Sequence, residues 1–197
     1  MIVNIDKYDG NLLHGRFAYK FFNKRVLPIG NIIAFVAPME VLADGMIDQE
    51  DVNKQEFIWS ENAINFLWEI PILDNTFGAI AYQRLFNTEI ANILAKPSYL
   101  NCPVHMKGDD IMVEKEFVQG GVTQQEGKAS VSITYVKNGV TLGHTGINVV
   151  AGSKAPAYAF STNFTADQIN GFIGEVVNRF YLLNDDIFTS SSKIIDK

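Results

Sequence analysis

Asn138-Gly139 constrains the fold of this chain more than any other pair of residues in it. Both tolerate the positive φ of a type I′ turn, and strand-forming runs flank them, Ala129 to Val136 before and Val140 to Val150 after. Strands joined by so short a turn pair antiparallel. Ile111 to Val113 supplies a further strand upstream. Two helices bracket this region. The first is predicted over about Asp74 to Ala95, with Asp74 as N-cap, a stripe of Tyr82, Phe86, Ile90 and Ile93, and Pro97 just beyond its end. The second starts at Thr165, which forms a capping box with Gln168, and buries Phe172, Val176 and Phe180 at four-residue steps.

Nearer the start, Ile2 to Tyr8 alternates and reads as a strand ended by the turn signal Asp9-Gly10. Leu12 to Phe22 is ambiguous, with Leu13, Phe17 and Phe21 favouring a helix. Ile32 to Ala37 reads as a buried strand between Gly30 and Pro38. Asn62 to Ile70 reads as a strand with Ile64, Phe66, Trp68 and Ile70 on one face and Asn65 and Glu69 on the other. The expected class is α+β, a mainly antiparallel sheet with helices packed on one face.

No linker, charge block or repeat divides the 197 residues, so residues 1–197 are expected to form one domain. A composition 47% apolar and 19% charged is that of a soluble globular protein. Apolar runs such as Ile32 to Pro38 fall far short of the roughly 20 residues that cross a bilayer, so no membrane is expected. The net charge is −6, and no basic run exceeds Lys24-Arg25, which argues against nucleic acid as a partner. A single cysteine, Cys102, excludes an intrachain disulfide, and the first residues lack the pattern of a secretory signal. The expected location is cytoplasmic.

Three segments set polar groups beside strands, where a rigid sheet can aim them at a ligand: Lys107 to Val113, Gly127 to Ile133 and His144 to Val149. Lys128 follows Gly127 among small neighbours, Ala129, Ser130 and Ser132, so a ligand can lie close to the backbone while the ammonium neutralises a carboxylate or phosphate. A strand-edge lysine that discourages aggregation fits the same residues. His144 and Asn148 share one strand face, with Gly146 between them leaving a hollow. An ordinary half-buried polar pair fits that pattern too.

In order, Lys107-Gly108-Asp109-Asp110-Ile111, Gly127-Lys128 and Gly146-Ile147-Asn148-Val149 resemble the central segment of biotin protein ligases. Octanoyl and lipoyl transferases share the lysine and a similar His-Gly…Leu-Asn-Val strand. More closely, the chain resembles the domain of unknown function 366 family. That resemblance is carried by Tyr8-Asp9-Gly10, Met46 to Asp51, Gln83-Arg84-Leu85, Lys107 to Ile111, Lys128 to Ile133 and His144 to Val149.

The resemblance implies the biotin/lipoate ligase and class II aminoacyl-tRNA synthetase fold. It implies that Lys128 stabilises negative charge during adenylation or acyl transfer. Asp110 would stand at the acidic end of the ligases' Asn-Asp pair, and Asn148 behind the acyl pocket. Arg16 and Arg84 are the further anion-holding candidates, and Gln83, Asp109, Ser130, Ser132, His144 and Gly146 complete the candidate substrate-binding set. The implied ligand is a small carboxylate or acyl compound; ATP with Mg²⁺ is the cofactor that the resemblance allows, and a homodimer is left open.

The chain also departs from those families. The ligases' Arg-rich loop has no counterpart, since His14-Gly15-Arg16 is too short, and no cysteine follows residue 102 to serve as the transferases' nucleophile. Thioester exchange is therefore not expected, and Cys102 reads as a structural thiol. The alternative function is a non-catalytic ligand-binding or structural module that retains the pocket. Asp44, Asp48, Glu50 and Asp51 could hold Mg²⁺, although a solvated acidic loop is the commoner explanation. Three scattered histidines and one cysteine give a zinc site no support, so no metal ligands are assigned.

Overall fold

The computed structural model describes residues 5–42, 45–54 and 57–195. In chain order the elements are α1 (Phe17–Phe22), β1 (Asn31–Val41), α2 (Gln49–Lys54), β2 (Ile58–Ile70) and α3 (Thr76–Leu94). There follow β3 (Val104–Lys107), β4 (Asp110–Gln119), β5 (Val122–Lys128), β6 (Ser130–Lys137), β7 (Val140–Val150) and α4 (Ala166–Ser191).

Turn chemistry sets the larger sheet. Asn138 and Gly139 take φ of 53° and 75°, which closes β6 onto β7 with Lys137 opposite Val140. β2 then pairs with β7 and β1 with β2, giving an antiparallel sheet ordered β1-β2-β7-β6. The smaller sheet, β3-β4-β5, is also antiparallel. The two meet where β5 runs into β6: the Ala129 N–H donates to the Ile111 carbonyl at 2.9 Å.

Period-2 alternation gives the large sheet two apolar faces. Ile64, Phe66 and Trp68 of β2 pack with Phe86 and Ile90 of α3 and with Phe172, Val176 and Phe180 of α4. These rings meet mostly edge to face, as their quadrupoles favour; Phe86 and Phe180 lie 5.4 Å apart at 74°. The opposite face, with Ile33, Phe35, Met39 and Leu67, is covered by Tyr8, Leu13, Phe17 and Ala18. The two long helices thus occupy one face of a mainly antiparallel sheet, and the N-terminal segment with short α1 covers the other.

Several local expectations hold. Thr165 and Gln168 form the capping box of α4, and the strands at 32–37, 62–70 and 140–150 lie within β1, β2 and β7. The N-cap of α3 is Asn75 rather than Asp74: its side chain accepts from the Gly78 N–H at 2.6 Å, which is the bond a cap must supply. The expected strand at Ile2 to Tyr8 is not found in its described part. Residues 1–4 lie outside the described residues, and Tyr8 makes only an isolated bridge to Met39. Over Leu12 to Phe22 only Phe17–Phe22 is helical, and Phe21 is exposed. Among the described residues no helix is long and apolar enough to cross a membrane.

Candidate functional site

The smaller sheet ends at Lys128, and its position there is fixed from both sides. Its N–H donates to the Tyr158 carbonyl at 2.8 Å, and its own carbonyl accepts from the Phe160 N–H at 2.9 Å. Gly127 precedes it because a Cβ there would stand 2.5 Å from the Phe117 ring. The Lys128 Nζ lies 2.7 Å from Asp110 Oδ1, with both side chains 29% exposed. Strand β7 carries Asn148 to the same place. The Asn148 N–H donates to the Ala129 carbonyl, and its carbonyl accepts from both the N–H and the hydroxyl of Thr162.

Lys128, Asp110, Asn148 and His144 line one cavity of about 370 Å³, together with Tyr8, Trp59 and residues around α2. Asn148 is 3% exposed, and its Oδ1 is buried with no hydrogen-bond partner among the described residues. An unpaired buried amide oxygen costs on the order of 1–3 kcal/mol, which a ligand donor would recover.

His144 is buried, and its Nε2 is 2.9 Å from Asn65 Oδ1. The Asn65 Nδ2 already donates to the Ala37 and Ala63 carbonyls, so its oxygen faces the ring as acceptor. The imidazole is therefore neutral with its proton on Nε2, and burial pulls its pKa down to about 3. The Tyr8 ring stacks on it at 4.1 Å, and burial holds the Tyr8 phenol protonated. Burial thus keeps the His144 imidazole neutral at the cavity wall.

Five carboxylates, Asp48, Glu50, Asp51, Asp109 and Asp110, line the cavity against two ammonium groups, Lys54 and Lys128. Lys54 pairs with Glu50 at 2.6 Å, as Lys128 does with Asp110.

The family model described as "Domain of unknown function (DUF366)" matches residues 1–195. The chain belongs to the DUF366 family. Among solved structures it is similar to a protein of unknown function from Pyrococcus horikoshi, with TM-score 0.83 and 19% identity, covering 100% of this chain and 97% of that one. It is also similar to the biotin protein ligase from Aquifex aeolicus in complex with biotin and ATP, with TM-score 0.55 and 13% identity, over 93% and 70% of the two chains. The bipartite lipoate protein ligase from Thermoplasma acidophilum gives TM-score 0.50 and 10% identity over 77% and 71%. No curated protein matches. The fold of this DUF366 chain is that of the biotin/lipoate ligases.

The candidates suggested by the DUF366 sequence divide in space. Lys128, Asp109, Asp110, His144 and Asn148 line the cavity. Ser130 and Ser132 line it too, with hydroxyls that also bond within the protein. Ser130 Oγ accepts from the Ile111 N–H at 2.8 Å. Ser132 Oγ accepts from Gln83 Nε2 at 2.8 Å and Asn87 Nδ2 at 3.0 Å, and donates to the His144 carbonyl at 3.2 Å. That uses the full capacity of a hydroxyl. Gln83 is accordingly a structural clamp between α3 and β6. Asn87 extends the clamp to the Asp109 carbonyl and so steadies the turn that presents Asp110.

Three further candidates lie away from the cavity lining. The hollow expected at Gly146 is filled, because a Cβ there would lie 3.3 Å from Met39. Arg84 stays outside the cavity, donating to Gln83 Oε1 at 2.6 Å and lying 3.7 Å from Asp109. Arg16 sits at the other end of β2, where its N–H donates to Glu69 Oε2 at 2.7 Å and it borders a separate surface recess.

Of the acidic group considered for Mg²⁺, Asp44 lies outside the described residues. Asp48 accepts from the Glu50 N–H at 2.8 Å, which is a cap of α2. Cys102 is half-buried and burial raises its pKa, as suits a structural thiol. Trp59, which lines the cavity, carries no signal in the sequence beyond being aromatic, and Tyr8, beside it, stands out only through the Tyr8-Asp9-Gly10 segment.

Proposed function

We propose that the cavity binds a small carboxylate or its acyl derivative, and that Lys128 stabilises negative charge on the oxygens of that group. The observation that carries this reading is convergence. Lys128 from the small sheet and Asn148 from the large one line a single cavity, and the buried Asn148 amide oxygen has no partner among the described residues. Asp110 takes one N–H of the ammonium and holds it in place, leaving two N–H groups for ligand oxygens. Asn148 Oδ1 reads a donor elsewhere on the ligand, and neutral His144 with Tyr8 forms a dry wall. The biotin and lipoate ligases that share the fold act on carboxylic acids, which supports the same class.

A nucleotide triphosphate fits this wall poorly. Its several negative charges would face five carboxylates, whereas the single charge of a carboxylate needs only the remaining N–H groups of Lys128. No step is therefore assigned to ATP or Mg²⁺. The Lys128–Asp110 pair also favours a second reading, a non-catalytic module that binds the acid without activating it.

Thermal shift with octanoic, lipoic and biotin-like acids, each with and without ATP and Mg²⁺, tests the proposal, because a ligand of the folded state raises the melting temperature. Stabilisation by an acid that Lys128→Ala abolishes is expected. No stabilisation by any acid, or one that survives Lys128→Ala, would overturn it. Turnover of the bound acid with ATP would exclude the second reading.

A further inference from the structure

We propose that His105, Glu114 and Glu126 bind a divalent first-row transition metal ion, such as Zn²⁺ or Mn²⁺, on the exposed face of the small sheet. The site is separate from the cavity and independent of the function proposed for it.

Register brings the three together. His105 of β3 lies opposite Met112 of β4, and Glu114, two residues along β4, lies opposite Glu126 of β5. All three therefore project from the same face of three adjacent strands. No ligand-spacing motif links the three residues along the chain, because each comes from a different strand.

Two carboxylates directly opposite in a ladder repel each other, so Glu114 and Glu126 form a destabilising pair unless a cation lies between them. His105 occupies that position. Its Nδ1 is 3.2 Å from Glu114 Oε1 and its Nε2 is 3.2 Å from Glu126 Oε1. Each ring nitrogen thus faces a carboxylate, and the imidazole lies between the two acidic groups. No other cation is paired with either glutamate among the described residues.

A metal ion removes this conflict. One ring nitrogen and one oxygen from each glutamate lie within 4.8 Å of one another, so small rotamer changes bring all three to the roughly 2.0–2.2 Å of metal–nitrogen and metal–oxygen bonds. The three side chains are exposed, which leaves the remaining coordination positions to water. An imidazole among the ligands selects Zn²⁺, Mn²⁺, Co²⁺ or Ni²⁺ over Mg²⁺ and Ca²⁺, which take oxygen ligands.

The test is calorimetric titration of the chelator-treated full chain with Zn²⁺, beside the single variants His105→Ala and Glu126→Gln. Both residues are on the surface, and circular dichroism checks that each variant is folded. One equivalent of Zn²⁺ is expected to bind the wild type, with affinity at least tenfold lower in each variant. In metal-free buffer Glu126→Gln should melt no lower than the wild type, since it removes a repulsion. Absence of Zn²⁺ binding to the wild type, or retained affinity in either variant, overturns the proposal.

Discussion

Lowering the pH from 7 to 5 should destabilise this protein through His144. The buried ring lies against Tyr8 and Asn65, and burial sets its folded-state pKa at about 3 against an ordinary value of 6.5. Below pH 6.5 the unfolded chain takes up a proton at this residue while the folded chain does not. Stability therefore falls as pH drops through that range, and the loss levels off only near the folded value. From pH 7 to 5 the unfolded state gains about 1.5 pH units of protonation free energy, or about 2 kcal/mol.

Glu69 works in the opposite direction, since burial raises its pKa and the cost of its charge is relieved as pH falls. Comparison with His144→Gln removes this and every other shared contribution. The glutamine amide can still donate to Asn65 but does not titrate. Urea unfolding of both proteins at pH 7 and pH 5 gives the difference: the wild type should lose about 2 kcal/mol more than the variant. Equal losses in the two proteins would refute the reasoning, and so would a smaller loss in the wild type.

Three further outcomes are expected. Gly143→Ala places a Cβ 2.0 Å from the Trp68 ring, which is fully buried and cannot retreat; urea unfolding should show a loss of about 3 kcal/mol. Phe180→Ala removes a ring in contact with Tyr82 and Phe86 and should cost about 3–5 kcal/mol in the same assay. Asn148→Leu replaces an amide whose buried oxygen has no partner among the described residues with an apolar group of similar size. It should leave stability unchanged or raise it by about 1 kcal/mol, whereas a loss of 2 kcal/mol or more would show that the amide is structurally satisfied.

Much of the fold could be read from local signals. The Asn138-Gly139 turn, the Thr165 capping box and the alternation of 62–70 each specify structure within a few residues, and each is present as expected. Strands β3 and β5 left no such trace. Val-His-Met-Lys is short, and Val-Thr-Gln-Gln-Glu-Gly-Lys is mostly polar and largely exposed, so neither shows the apolar alternation of a half-buried strand.

The same distinction divides the site. His144 and Asn148 share a face by the period of one strand, and the structure keeps them together at the cavity. No periodicity ties Arg16 and Arg84 to that face; the Arg16 N–H meets Glu69 and the Arg84 guanidinium meets Gln83 instead. Tyr8 and Trp59 reach the cavity from segments more than 80 residues before Asn148, Trp59 through the pairing of β2 in the large sheet and Tyr8 through its bridge to Met39.

The most direct measurement is a crystal structure of the protein grown with whichever carboxylic acid gives the largest thermal shift. Electron density should place the acid's oxygens within hydrogen-bond distance of Lys128 Nζ and one of its donor groups on Asn148 Oδ1. An acid bound outside the cavity, or bound inside with its carboxylate turned away from Lys128, would contradict the proposed role of that lysine.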